Sequence, residues 1–141
     1  MLDRETSVST NGDLGITLWT TDIPAMAAFL EKVAGLEVEE LHPGYASLRA
    51  NGASILLHAD EAYRGHPWYE ALMREGVARG IGAEMRFRVA DASAAYSAAL
   101  RIGGLAIQPP YTQDGIQECQ VMGPDGFLFS LWSTADSDTQ N

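Results

Sequence analysis

The fold of this 141-residue chain is indicated most clearly by residues 115–132. Their sequence is Gly115-Ile-Gln-Glu-Cys-Gln-Val-Met-Gly-Pro-Asp-Gly-Phe-Leu-Phe-Ser-Leu-Trp132. On both sides of its centre, residues 116–122 and 127–132 show the apolar bias and alternation typical of strands that bury one face. The central Gly123-Pro-Asp-Gly126 supplies the residues that favour tight turns. The stretch therefore predicts a β-hairpin that ends the ordered part of the chain.

A strand, a helix and a further strand are predicted upstream of this hairpin. Residues 85–89 alternate apolar and polar side chains, which indicates a strand with one buried face. Asp91 is placed to accept hydrogen bonds at a helix N-terminus, and Gly103 and Gly104 end that helix. Leu105 begins the next strand. The second half of the chain is thus predicted as strand, helix, strand, strand, strand.

The first half of the chain repeats this order. Asp22 caps a helix that Gly35 ends, and the dipeptide Asn51-Gly52 joins two further strands, 45–50 and 53–59. The two capping aspartates lie 69 residues apart, whereas the hairpin glycines Gly52 and Gly126 lie 74 apart.

We expect the five extra residues in a turn-rich loop, 108–115. The repeat predicts an α+β fold of two βαβββ modules whose curved mixed sheets surround a cavity. A linker helix is predicted around Pro67–Glu75. The predicted organisation is a flexible segment 1–12, one domain 13–133 (module one 13–60, linker region 61–80, module two 81–133) and a disordered tail 134–141.

Composition narrows the function classes. Nine basic against nineteen acidic residues give a formal charge of −10, which disfavours nucleic acid and anionic membrane surfaces as partners. The single cysteine, Cys119, excludes an internal disulfide. No apolar run approaches the ~18 residues of a membrane span. These features predict a soluble, cytoplasmic protein, and most of the negative charge is expected on solvated surface.

Successive side chains of a strand point to opposite faces, and this alternation predicts which of them point into the cavity. Two of the three tryptophans fall on that side among mixed polar groups, a composition that suits a flat organic ligand. Two alternatives stay open: the tryptophans fill a small core, and Glu84 pairs with Arg86 on its own strand. The predicted ligand-binding residues are Trp19, Leu56, His58, Glu84, Arg86, Glu118, Gln120, Ser130 and Trp132.

The doubled module with Gly-Pro-Asp-Gly before the last strand resembles the vicinal oxygen chelate superfamily, over about residues 14–133. That superfamily includes glyoxalase I, extradiol dioxygenases, fosfomycin-modifying enzymes and bleomycin-resistance proteins. Residues 115–132 resemble the bleomycin-resistance branch, although Cys119 stands where that branch has an aromatic residue and Gly123 where it has an aspartate. The resemblance implies the glyoxalase/bleomycin-resistance fold.

Enzymes of the superfamily bind a divalent metal through four cavity positions. The resemblance places these positions at Gly15, Leu56, Glu84 and Ser130, of which only Glu84 is a good ligand. Catalytic transition-metal sites take about three protein ligands, and His58 nearby does not complete such a set. We therefore expect no metal and no other cofactor.

The resemblance implies a metal-free homodimer that sequesters a small aromatic or cationic compound, such as a glycopeptide antibiotic, with no catalytic residue. The main alternative is a metal-dependent lyase, isomerase or dioxygenase with atypical ligands. Two further alternatives are acid–base catalysis by Glu84 or Glu118 and a vestigial cavity on a partner-binding domain.

Overall fold

We describe the fold from a computed structural model of the chain. It describes residues 13–50, 52–75, 79–80 and 82–135. The predicted segment 1–12, Asn51 of the first hairpin, parts of the linker region and most of the predicted tail lie outside the described residues. The chain divides into two compact units, one around each of two four-stranded sheets, and each unit is described by itself.

The first unit is a mixed sheet with helical segments. Its strand order is β1-β4-β3-β2, with β1 parallel to β4 and the other neighbours antiparallel. Alternate residues of β3 and β4, namely Ala46, Leu48, Ile55 and Leu57, are fully buried on one face. The elements are β1 Leu14–Thr20, α1 Ile23–Lys32, β2 Glu37–His42, β3 Tyr45–Ala50, β4 Ala53–Ala59, a 3₁₀ turn Asp60–Tyr63 and α2 Pro67–Glu75.

The second unit repeats this topology, with strand order β5-β8-β7-β6 and β5 parallel to β8. Its helix, α3, packs against β6, β7 and β8. Fully buried Cys119, Val121, Phe129 and Leu131 occupy alternate positions of β7 and β8. The elements are β5 Met85–Arg88, α3 Ala92–Arg101, β6 Leu105–Gln113, β7 Ile116–Met122, a 3₁₀ turn Pro124–Gly126 and β8 Leu128–Thr134. The predicted α+β fold of two βαβββ modules is confirmed.

The strand pairing shows which residues of the two units are equivalent. Trp19 pairs with His58 between β1 and β4, and Arg88 pairs with Trp132 between β5 and β8. The first members of these pairs lie 69 residues apart and the second members 74 apart, as the sequence repeat predicts. Arg88 is therefore the structural counterpart of Trp19, and Trp132 is the counterpart of His58.

Both module helices begin with the same cap. The Asp22 carboxylate accepts a hydrogen bond from the backbone N–H of Ala25 at 3.0 Å. The Asp91 carboxylate accepts one from the N–H of Ala94 at 3.2 Å. Each carboxylate satisfies an N–H group that has no partner within the helix, so the predicted caps are confirmed.

The predicted loop at 108–115 is wrong. β6 runs through Pro109 and Pro110 to Gln113, with register shifts against β7 around the two prolines. The turn is confined to Asp114 and Gly115, whose φ values are 56° and 78°. A two-residue turn with both φ angles positive matches the right-handed twist of the strands, so it closes a hairpin directly. β6 and β7 contain nine and seven residues, whereas β2 and β3 contain six each, so the hairpin is longer than its counterpart in the first unit.

β8 continues one residue beyond the predicted domain end at 133. It includes Thr134, and the N–H of the following Ala135 donates to the carbonyl of Gly115 at 2.8 Å. Ala135 is buried.

Across the described ranges, we find no helix with the length and apolar character needed to cross a membrane.

Cys119 lies under α3 in the core of the second unit. Its thiol is fully buried and contacts the carbonyl oxygen of Ala92, with Sγ at 3.7 Å. Burial away from water raises the pKa of this thiol to about 11, against the opposing effect of a backbone hydrogen bond involving Leu131; the nearby negative charge of Glu118 raises it further. Cys119 is therefore a protonated core residue at neutral pH.

A thiol held protonated by the fold should make stability depend on pH. The unfolded chain loses this proton near pH 9 and the folded chain near pH 11, so stability falls as pH rises through that window. We expect the stability of the wild type relative to Cys119→Ala to decrease between pH 9 and pH 11. Urea unfolding of both proteins across this range measures the difference, and a constant difference would contradict the prediction.

Candidate functional site

The face of the second sheet that points away from α3 is polar. The α3 side is marked by Cys119 and Ser133, which contact the backbone of Ala92. Residues that alternate with them on β7 and β8 point the other way. This polar face comprises Glu84, Arg86, Arg88, Glu118, Gln120, Ser130 and Trp132, so the predicted site residues of module two share one surface.

Glu118 is the centre of a hydrogen-bonded cluster on the polar face. It accepts a short hydrogen bond from the hydroxyl of Ser130, which is fully buried. It also forms an ion pair with Arg86, with Nη2 and Oε2 3.3 Å apart. The Glu118 side chain is 21% exposed and that of Arg86 is 52% exposed. Because the guanidinium is half in water, the ion pair contributes less than about 1 kcal/mol, and the bond to buried Ser130 is the stronger constraint.

Removing the Glu118 carboxylate should leave the buried Ser130 hydroxyl without its acceptor. We expect Glu118→Ala to lower the free energy of unfolding by about 1–3 kcal/mol. Ser130→Ala in the Glu118→Ala background should cost little more. Urea unfolding of the two single variants and the double variant measures their coupling. Additive losses would show that the two side chains do not act together.

Glu84 pairs across strands and not along its own strand. Its carboxylate accepts a hydrogen bond from the amide nitrogen of Gln120 at 2.7 Å, while Arg86 is engaged by Glu118. Cross-strand contacts with Gln120 and Glu118 therefore take the place of the expected alternative, a pair between Glu84 and Arg86. Both carboxylates of the predicted site are held by partners from the same unit.

Trp132 lies beside two arginines at one end of the polar face. The guanidinium carbon of Arg88 is 5.2 Å from the centroid of the indole, and that of Arg86 is 5.9 Å away. Both distances are within the range of cation–π attraction. Trp132 is half-buried and Arg88 is exposed, so this end of the face presents a cation next to an aromatic ring.

An open pocket lies at the opposite end of the polar face. Its volume is about 390 Å³. Leu128 and Met122 supply apolar surface there and Glu84 stands at its border. The remaining lining residues are Gly80, Gly82, Ala83 and Gly126. Met122 pairs with Leu128 between β7 and β8, so the pocket adds a concave apolar feature to this end of the face.

In the first unit two predicted site residues, Trp19 and His58, lie in an aromatic cluster, which we define as Trp19, Tyr45, His58, Tyr63 and Trp68. The third, Leu56, lies two residues before His58 on β4 and outside this cluster. The indole of Trp19 is 4.5 Å from that of Trp68, centroid to centroid, and 5.1 Å from Tyr63 in an edge-on arrangement. His58 contacts Trp19, Tyr45 and Tyr63 at 5.5–6.3 Å. Helix α2 and the preceding 3₁₀ turn thus cover Trp19 within its own unit.

Alternation along the strands did not by itself identify Tyr63 and Trp68 as neighbours of Trp19. They belong to the linker region, whose helix was predicted to cover apolar surface without a specified partner. Tyr45 could have been found, because the hairpin register places it opposite His58. The contacts in this cluster are those of a packed aromatic group, which favours the expected alternative of a core role for Trp19.

Four positions hold the metal in enzymes of the superfamily, and the residues at these positions in this chain do not form a suitable set of metal ligands. Gly15 has no side chain and Leu56 is apolar, so the first unit supplies no ligand from these positions. In the second unit, Glu84 and Ser130 remain, and each is hydrogen-bonded to a neighbour. Within the described ranges, no three His, Cys, Asp or Glu side chains are grouped to hold a metal ion. These residues therefore do not fit a divalent metal.

Comparison with solved structures defines the fold class. The chain has the glyoxalase/bleomycin-resistance fold, with two repeated modules. No family model matches the chain, and no curated protein is significantly similar to it in sequence.

One similar structure is a glyoxalase/bleomycin resistance protein/dioxygenase family enzyme from Burkholderia phytofirmans PsJN, with a TM-score of 0.68, 23% identity, and coverage of 87% of this chain and 98% of that one. A glyoxalase/bleomycin resistance protein from Albidiferax ferrireducens T118 has a TM-score of 0.62 and 15% identity, with 84% and 95% covered. TioX from Micromonospora sp. ML1 has a TM-score of 0.60 and 16% identity, with 88% and 99% covered. At 15–23% identity, these neighbours show that the chain shares their fold.

Proposed function

We propose that this protein binds and sequesters a small organic molecule without a metal, in the manner of the bleomycin-resistance branch. The observation that carries the proposal is the polar face of the second sheet. It combines a pocket, a row of hydrogen-bonding side chains and a tryptophan on a single surface. Ligand sites typically pair apolar surface with a few placed polar groups.

The donor set favours binding over metal-dependent catalysis. Three protein ligands are the usual minimum for a catalytic zinc, and the positions expected from the superfamily provide one carboxylate. The proposal assigns no catalytic residue. Stoichiometric nickel, zinc, manganese or iron in protein purified without chelator would instead support a lyase, isomerase or dioxygenase.

Ligand titration tests the proposal directly. A panel of flat aromatic compounds and a glycopeptide antibiotic of the bleomycin class are added while tryptophan fluorescence and binding heat are recorded. We expect at least one compound to give saturable binding that Trp132→Phe weakens. Trp68→Phe is the matched control, because Trp68 lies in the aromatic cluster of the first unit. Absence of saturable binding over the panel would contradict the proposal.

We also propose that the protein is a homodimer. Exposed apolar residues gather on β6, an edge strand, and on the end of α3. Unpaired edges and exposed apolar patches are surfaces that proteins cover by association. Leu105 is 61% exposed and Ile107 is 45% exposed. Light scattering should give twice the chain mass, and Ile107→Lys should lower it; a wild-type monomer would contradict the proposal.

A further inference from the structure

The two carboxylates of the polar face are occupied within the protein. Glu84 accepts from Gln120, and Glu118 accepts from Ser130 while it also pairs with Arg86. The guanidinium groups of Arg86 and Arg88 balance the charges of these two carboxylates. The face therefore carries no excess negative charge to attract a cation, although the whole chain carries a formal charge of −10.

Arg88 differs from Arg86 in its contacts. In the part of the chain that the structure describes, no carboxylate forms an ion pair with it. Its guanidinium carbon lies 5.2 Å from the centroid of the Trp132 indole, and this contact leaves the N–H groups at the guanidinium edge available to a ligand. A guanidinium beside an aromatic ring and without an acidic partner can bind a carboxylate or another oxyanion through paired N–H groups.

The distance between this arginine and the pocket sets the length of the ligand. Leu128 and Trp132 lie on the same face of β8 and are four residues apart, which corresponds to about 13 Å along a strand. Arg88 marks one end of this span and the apolar pocket marks the other. A ligand that reaches both ends has an anionic group at one end and an apolar group at the other.

We infer that the ligand is an elongated aromatic anion, with its oxyanion on the guanidinium of Arg88 and its apolar end in the pocket at Leu128 and Met122. This inference rests on the proposed small-molecule binding and narrows its ligand class from aromatic or cationic to aromatic and anionic. The guanidinium of Arg88 attracts the anion at short range, although the net negative charge of the whole protein repels anions.

Three probes of matched shape test the inference by calorimetry at moderate salt: biphenyl-4-carboxylate, biphenyl-4-methanol and biphenyl-4-methylammonium. We expect the carboxylate to bind about tenfold or more tightly than the alcohol, and the ammonium to bind most weakly. Arg88→Gln should reduce carboxylate affinity about tenfold and leave alcohol affinity unchanged. Arg101→Gln is the control, because it removes the same charge from α3, which packs on the opposite side of the sheet.

The outcomes separate the two proposals. Equal or tighter binding of the alcohol or the ammonium, or carboxylate binding that Arg88→Gln does not change, overturns the inference and leaves small-molecule binding in place. If none of the three probes binds, the inference is overturned, and if the aromatic panel also fails, both proposals are overturned.

Discussion

Trp19→Ala is expected to lower the free energy of unfolding by about 2–4 kcal/mol, because the indole is packed by other rings of its own unit. Trp68 and Tyr63 contact it at centroid distances of 4.5 and 5.1 Å, and each aromatic pair adds about 0.5–1.5 kcal/mol beyond area burial. Trp19 is only partly buried, which keeps the loss below that of a fully buried tryptophan.

Trp132→Ala is the matched variant for this experiment. Its indole contacts arginine guanidinium groups, and such contacts contribute about 0.5–1 kcal/mol each at exposed sites. We expect a smaller loss of stability than for Trp19→Ala, together with loss of ligand binding. Urea unfolding and calorimetric titration of both variants measure the two effects. If Trp19→Ala unfolds like the wild type and abolishes binding, the aromatic cluster is a ligand site and not a packed core.

Leu131→Ala is expected to cost about 2–5 kcal/mol, because the side chain is fully buried on the α3 side of β8 and its removal leaves a cavity. Leu128→Ala is the ideal comparison: the same atoms are removed from the same strand, but Leu128 lines the open pocket on the opposite face. We expect a loss of about 1 kcal/mol or less at this position.

Urea unfolding of the two leucine variants measures the contrast. Similar losses at both positions would show that the two faces of β8 are equally packed and would remove the basis for a ligand surface. A much larger loss for Leu131→Ala supports the assignment of one face to the core and the other to binding.

Much of the fold was predictable because it is encoded in short-range patterns. Asp22 and Asp91 cap their helices as expected, since a carboxylate three residues before an N–H satisfies it locally. The offsets of 69 and 74 residues also anticipated the strand registers, because equivalent modules bury equivalent positions. β6 was mispredicted at Pro109 and Pro110, where the bulged pairing with β7 accommodates residues that favour turns in isolation.

The site was predictable in outline and not in its contacts. Alternation assigns Glu118, Gln120, Ser130 and Trp132 to one face of the sheet, because successive side chains point to opposite faces. It does not say which side chains meet across strands. Glu84 bonds Gln120 at 36 residues' separation. Arg86 bonds Glu118 at 32 residues' separation. These pairs depend on the order β5-β8-β7 and on its register.

Local patterns in the sequence predicted the doubled module, the helix caps and the division of β4, β7 and β8 into a buried and an open face. These follow from side-chain periodicity and local hydrogen bonding, which act over a few residues. The tertiary structure brings Trp68 against Trp19, Gln120 against Glu84, and Arg88 beside Trp132. Such contacts arise only when distant segments are brought within a few ångströms, so alternation along a strand does not specify them.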